Sequence, residues 1–183
     1  GATTLSALVK YDTLKPNAHV IGFGNGPNNH NIRLKNGASN MLQNGEFVIY
    51  APSVKSTGFG GFWQNNQWFH VTATVDAGGV MKLYRDGILV ATKTDGHVPS
   101  TLTRTEQYLG KSNWNGNYFQ GVMDEVRVYD RAITASEVTN LFDLADLNVS
   151  APILPPWLSL NASGSGYALT GTPTNADVGT HNV

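Results

Sequence analysis

The chain has 183 residues, with 12 Lys or Arg against 13 Asp or Glu and a formal net charge of -1. Only 14% of residues are charged, the two signs are interspersed, and no apolar run nears the roughly twenty residues of a membrane span. A nucleic-acid footprint and membrane insertion through a helix are therefore not read from this chain, and the absence of cysteine removes disulfide scaffolds, thiol catalysis and cysteine-ligated zinc.

Strand signals then recur at short intervals with turn residues between them. The stretches 6–11, 19–23, 31–34, 47–51, 68–75, 80–84, 88–93 and 107–110 carry apolar or β-branched residues in strand-like patterns. Their punctuation is Lys15-Pro-Asn17, Gly24-Asn-Gly-Pro27, Lys35-Asn-Gly37, Gln43-Asn-Gly45 and Ala77-Gly-Gly79, the residues that turns need. This spacing predicts an all-β sandwich rather than alternating β and α units. Within 68–75, Phe69, Val71, Ala73 and Val75 read as core, while Trp68, His70, Thr72 and Thr74 read as the outer face, with His70 exposed. Asp86-Gly87 between two apolar-rich runs predicts a type I′ hairpin, because both central positions of that turn need positive φ.

From Gly121 to Tyr129 the residues alternate again. Val122, Asp124, Val126 and Val128 fall on one face, and three valines out of four mark it as the core face. Asp124 is then a carboxylate among core valines, which needs hydrogen bonds or a cation, so it is the candidate metal residue. Thr134 and Glu137 have the spacing of a capping box, which opens a short helix over 135–142 whose apolar side is Val138, Leu141 and Phe142. Beyond Phe142 periodicity is lost and prolines stand at 152, 155 and 156, so 143–156 reads as a linker. Short strands follow at 157–160 and 167–170, too few to bury a core alone, so they either belong to a second domain or fold back to complete the first. The organisation expected is 1–142, a linker at 143–156, and a partial β unit at 157–183. With Gly1 at one end and a strand-like segment at the other, the chain reads as a piece of a longer protein with flanking domains.

Catalytic patterns are absent from the sequence. Two carboxylates on one strand face, as glycoside hydrolysis requires, are not found: Asp124 and Glu125 are adjacent and point apart, and Glu46, Asp76, Asp86, Asp95 and Glu106 are isolated. Histidines 19, 30, 70, 97 and 181 are scattered without a nucleophile elbow or zinc spacing. Gly22-Phe-Gly24-Asn-Gly26 precedes no helix, so a phosphate loop is not read from it. A binding chemistry does appear in Ser112-Asn-Trp-Asn-Gly-Asn-Tyr-Phe-Gln120. Sugars offer apolar CH faces to rings and hydroxyls to planar amides, so Asn113, Trp114, Asn115 and Tyr118 are the candidate carbohydrate-binding residues; packing of Trp114 over the sandwich end is the alternative. Asn28-Asn-His30 is a second loop that could join them, and Trp63 a further aromatic candidate.

Trp68-Phe-His-Val-Thr-Ala-Thr-Val75, Met81-Lys-Leu-Tyr-Arg-Asp-Gly-Ile-Leu-Val-Ala91 and the run from Gly121 to Phe142 resemble, in order and spacing, the motifs of laminin-G-like, concanavalin-A-like lectin/glucanase domains. The resemblance implies a two-sheet antiparallel jelly-roll sandwich with a short helix after its last strand, acting as a non-catalytic extracellular or cell-surface recognition module. It also implies a structural calcium in many members. The chain departs from the pattern at its start, where a further strand and an Asp, Gly and Asn-rich loop that commonly supplies calcium ligands are missing. Leu154-Pro-Pro-Trp-Leu-Ser-Leu160 and Leu169-Thr-Gly-Thr-Pro-Thr-Asn-Ala-Asp-Val-Gly-Thr180 resemble part of a dystroglycan-type cadherin-like, Ig-like repeat of bacterial surface adhesins. The function expected is carbohydrate binding in cell adhesion, with a glycan or cell-surface protein as partner. The alternatives are a structural spacer or protein-interaction module, and an accessory module of a secreted polysaccharide-degrading enzyme.

Overall fold

Period-two alternation of apolar residues produces ten strands that pair into two five-stranded antiparallel sheets. In the computed structural model, which describes residues 1–145, 157–163 and 166–172, the chain divides into two compact units, Gly1–Ala145 and Asp146–Val183. The strands of the first unit are β1 (Thr3–Tyr11), β2 (His19–Gly24), β3 (Ile32–Asn36), β4 (Gly45–Tyr50), β5 (Val54–Phe59), β6 (Trp68–Val75), β7 (Met81–Arg85), β8 (Ile88–Lys93), β9 (Glu106–Leu109) and β10 (Gly121–Tyr129), followed by α1 (Ala135–Ala145). The first sheet runs β10-β1-β6-β7-β8 and the second β5-β4-β3-β2-β9. This is the jelly-roll sandwich expected. Among the described residues no helix is long and apolar enough to cross a membrane.

The core lies between the sheets. Leu5, Ala7, Val9 and Tyr11 of β1 and Phe69, Val71, Ala73 and Val75 of β6 meet Ile21, Leu34, Phe47 and Ile49 of the second sheet, all buried. Fully burying each of the larger side chains stabilises the fold by about 1.5–3 kcal/mol. Trp63 joins this core rather than offering a sugar platform, which corrects the reading of it as a surface aromatic. It is fully buried, edge-on to Tyr11 at 5.1 Å and to Phe69 at 6.1 Å between ring centroids. The turn at Asp86-Gly87 is the expected type I′, with φ of 52° and 78°, and Asp86 Oδ1 accepts the His70 amide at 2.9 Å.

Strand β5 was not expected, because Val54-Lys-Ser-Thr-Gly-Phe59 carries no apolar alternation. It is an edge strand whose register on β4 runs unbroken from Tyr50↔Val54 to Gly45↔Phe59, and main-chain pairing rather than side-chain pattern places it there.

On β10 the alternation breaks. Register with β1 passes from Ser6↔Arg127 to Leu8↔Asp124, and Glu125 has φ of 51°, the mark of a β-bulge. The extra residue reverses the facing of 121–124, so Met123, opposite Val9, joins Val126 on the core while Val122 is 45% exposed; Val128 keeps the side of Leu5 but, on the edge strand, is 52% exposed. Asp124 is likewise exposed, and its Oδ1 accepts the Glu125 amide at 2.8 Å. The sequence expectation of a core face made by Val122, Asp124, Val126 and Val128 is corrected at Val122 and Asp124 by this one inserted residue, while Val126 packs on the core as expected.

Helix α1 begins at the predicted capping box. Glu137 Oε2 accepts the Thr134 amide at 2.8 Å, and the Glu137 amide donates back to Thr134 Oγ1 at 3.2 Å. The helix lies over the outer face of the first sheet, where Val138 is buried with Tyr84 and Ile133 and flanked by Tyr129 and Leu141. That cover also buries His70, 1% exposed, correcting its placement on an open face. Its ring sits 6.1 Å from that of Phe142, and its Nε2 is 3.0 Å from Ser6 Oγ. Burial, with a smaller contribution from Arg127, lowers its pKa to about 4.

The helix runs to Ala145, past the expected end at Phe142, and residues 146–156 of the expected linker lie outside the described residues. In the second unit β11 (Leu158–Ser163) and β12 (Gly166–Gly171) form an antiparallel hairpin, and Asn161 Nδ2 donates to Thr170 Oγ1 at 2.6 Å. Residues 173–183 of the expected repeat also lie outside the described residues.

Candidate functional site

The outer face of the second sheet gathers the polar side chains left over from the core pattern. Directly opposed residues in antiparallel strands share a face. Gly22 opposes Arg33 and Tyr108, Arg33 opposes Val48, and Lys35 opposes both His19 and Glu46, so these residues share the face turned away from the core.

Two glycines let a loop settle on that face. A Cβ at Gly22 would stand 2.9 Å from the Lys111 carbonyl oxygen, and one at Gly24 would stand 3.0 Å from Asn113 Oδ1. Their value lies in the absent side chain, not in a phosphate loop. Residues 111–113 therefore rest against the strand, and Trp114 is carried over Arg33, whose Cζ lies 4.3 Å from the indole centroid.

The loop is pinned throughout. The Trp114 amide donates to Ser112 Oγ at 3.0 Å, and that hydroxyl donates to the Trp114 carbonyl at 2.9 Å. Asn113 Nδ2 donates to the Glu106 carbonyl at 3.2 Å and to Glu106 Oε2 at 2.9 Å, while Asn113 Oδ1 accepts from Asn31 Nδ2 at 3.3 Å. Asn117 Nδ2 donates to the Pro16 carbonyl at 2.9 Å, and the Phe119 ring packs 4.5 Å from that of Tyr11.

Of the four candidate sugar-binding residues, Trp114 is half-buried on Arg33, Asn115 is exposed and Tyr118 is 64% exposed. Asn113 is committed to holding the loop. The neighbouring loop does meet this one, through Asn31 and Asn113, and Asn28 and His30 shape it with φ of 54° and 51°.

Sequence reading missed the floor beneath the loop. His19 is 3% exposed; its Nδ1 lies 2.8 Å from the Asn17 carbonyl, an acceptor, so that nitrogen carries the proton and Nε2 offers a lone pair. That Nε2 is buried without a partner. Burial lowers the His19 pKa to about 4, the Asn17 hydrogen bond opposes this, and Arg33 and Lys35 add smaller lowering effects. Lys35 Nζ is 2.6 Å from Glu46 Oε2 and also donates to Asn17 Oδ1 at 3.0 Å and to the Asn36 carbonyl at 3.1 Å. Arg33 differs: its Nε is buried without a partner, and burial lowers its pKa while Glu46 partly offsets that effect. Polar residues on the outer face of a strand carry no local sign that a distant loop will cover them, so the sequence holds no marker for this floor.

Calcium takes six to eight oxygen ligands. Asp124 offers one carboxylate already bonded to its neighbour's amide, and among the described residues no three or more His, Cys, Asp or Glu side chains gather to hold a metal. The described surroundings of Asp124 do not by themselves fit a calcium ion. On the sheet face, Glu46 on β4 and Glu106 on β9 lie three strand intervals apart, about 14 Å at the usual spacing of neighbouring strands. That exceeds the roughly 5–9.5 Å across which paired carboxylates cleave a glycosidic bond.

No curated protein matches the sequence. Among solved structures, domain 4 of AbnA, an extracellular GH43 arabinanase from Geobacillus stearothermophilus, in complex with arabinotriose, is 25% identical. Its TM-score is 0.61, with 76% of this chain and 65% of that one covered, so the chain spans slightly less than two thirds of that relative. The CBM40 of the Ruminococcus gnavus IT-sialidase aligns at a TM-score of 0.65 and 16% identity, covering 77% of this chain and 82% of its own. The binding domain of botulinum neurotoxin serotype C1 aligns at 0.55 and 13% identity, with 78% and 36% covered. The latter two share the fold. The sequence also matches a family over residues 1–139, the same span that builds the two sheets and the start of the helix, and the chain belongs to the Concanavalin A-like lectin/glucanases superfamily.

Proposed function

We propose that the chain is a non-catalytic carbohydrate-recognition module whose site is the outer face of the second sheet, roofed in part by residues 111–119. One observation carries this reading: Trp114 is held over a floor that contains an unpaired hydrogen-bond acceptor on His19 and an unpaired donor on Arg33. A ring beside unsatisfied buried polar atoms is the chemistry that sugars require, since each pyranose or furanose offers both an apolar face and hydroxyls. Asn115 and Tyr118 are exposed on the same loop and supply further contacts. Arabinotriose is bound in the complex of the 25% identical arabinanase domain, which supports the reading.

That relative is a domain of an extracellular arabinanase, and it favours an accessory role beside a polysaccharide-degrading enzyme as the second reading to adhesion. Both place the module outside the cell with a glycan as partner. Binding does not rest on calcium at Asp124, which is exposed and part of the opposite sheet.

The test is a glycan array probed with the labelled chain in calcium and in chelator. Specific binding that persists in chelator and disappears in Trp114→Ala is expected. A folded chain that binds no glycan would leave a spacer or protein-interaction module in its place.

A further inference from the structure

Arg33 stands out among the charged groups of the sheet face. Lys35 is matched by Glu46 at 2.6 Å, and Glu106 is engaged by Asn113 at 2.9 Å. Lys111 lies with its Nζ 4.4 Å from the Tyr108 ring centroid. Arg33 has neither an ion-pair partner nor a side-chain hydrogen bond among the described residues, and its Nε is buried without a partner. Lys35 is thus the ion-paired cation of the three, while Lys111 and Arg33 rest on the rings of Tyr108 and Trp114, and of these two it is Arg33 that stands on the sheet itself with a buried, unpartnered nitrogen.

A half-buried guanidinium without an ion-pair partner costs desolvation free energy that the Trp114 ring only partly offsets. The natural complement is a carboxylate, whose two oxygens match the fork of N–H donors, whereas a sugar hydroxyl leaves the charge unneutralised. The neighbouring His19 Nε2, an acceptor near neutral pH, suits a hydroxyl next to that carboxylate and would repel a second anionic oxygen.

Resting on the carbohydrate reading above, we propose that the site prefers an acidic sugar, with Arg33 receiving its carboxylate, His19 Nε2 a neighbouring hydroxyl, and Trp114 the apolar face of the ring. Uronic acids and sialic-type acids share this chemistry, and the choice between them is left to the probes.

The experiment titrates the full chain by calorimetry with tri-galacturonic acid and its methyl ester, and with 3′-sialyllactose and lactose. The expected result is an affinity roughly tenfold or more greater for the acid in at least one pair, as an added charged hydrogen bond would give. That preference should weaken with added salt and vanish in Arg33→Gln, with Arg33→Lys retaining only part of it. The preferred pair identifies the acid class. Equal or better binding of the neutral members overturns the acidic preference and leaves the carbohydrate reading standing. If none of the four binds but neutral glycans on a wider array do, the preference fails alone; if no glycan binds, both fail. The acid-to-neutral ratio is read within one protein, so a loss of stability in a variant cannot imitate it.

Discussion

The guanidinium carbon of Arg33 lies 4.3 Å from the centroid of the Trp114 ring, joining a strand in the middle of the second sheet to a loop laid across it. The contact both positions the loop and leaves the indole half-buried, so its removal separates packing from recognition. Trp114→Ala should lower stability by about 1 kcal/mol, the scale of one partly exposed cation–π contact. Glycan binding should fall at least tenfold. Urea denaturation and titration of the same preparation check the two numbers together; a large loss of stability would assign Trp114 to packing instead.

Gly22 makes the loop's approach feasible. Alanine there would place a carbon 2.9 Å from the Lys111 carbonyl oxygen, a backbone atom that cannot swing aside as a side-chain tip can. Gly22→Ala should cost about 1–3 kcal/mol as over-packing and should weaken glycan binding by displacing Trp114. A drop in tryptophan fluorescence anisotropy, alongside an unchanged far-ultraviolet circular dichroism spectrum, would report that displacement.

Two buried histidines make the fold sensitive to acid. The pKa values of His19 and His70 are each lowered by burial to about 4, below the ordinary value of 6.5, so the folded state holds the neutral ring. Their contribution is fully present above pH 6.5, is lost progressively as pH falls from 6.5 towards 4, and changes little below that. Each shift corresponds to at most about 3 kcal/mol. Urea midpoints at pH 7.0 and 4.5 should differ accordingly, and His70→Gln should reduce the difference.

Helix α1 protects the polar layer of the first sheet. Thr134→Ala removes its cap and should cost about 1 kcal/mol. Val138→Ala opens a cavity beside Tyr84 and Ile133 and should cost about 2 kcal/mol or less, since valine is the smallest branched residue in such series. In both variants, hydrogen exchange should rise in α1 and over β6 around His70 and Thr72 before it rises in β3 or β4.

Much of this architecture was legible because its signals are local. Nine of the strands, the Asp86-Gly87 turn and the Thr134–Glu137 cap each depend on residues within a few positions of one another. The errors came from non-local effects. One inserted residue at Glu125 changed the facing of β10, and a helix more than sixty positions downstream buried His70. Trp63 looked like a surface aromatic because its Gly-rich flanks hide its burial between the sheets. The loop at Trp114 could be picked out by composition, whereas His19 and Arg33 join it only through the register of β2 with β3 and the bare surface at Gly22.

The measurement that tests the central claim most directly is nuclear magnetic resonance mapping of the full chain during titration with whichever glycan binds best. The account predicts shifts at the Trp114 indole N–H, the Arg33 Nε–H and the amides of residues 111–118. Perturbations confined to β10, α1 or the hairpin of the second unit, with these signals unmoved, would contradict it.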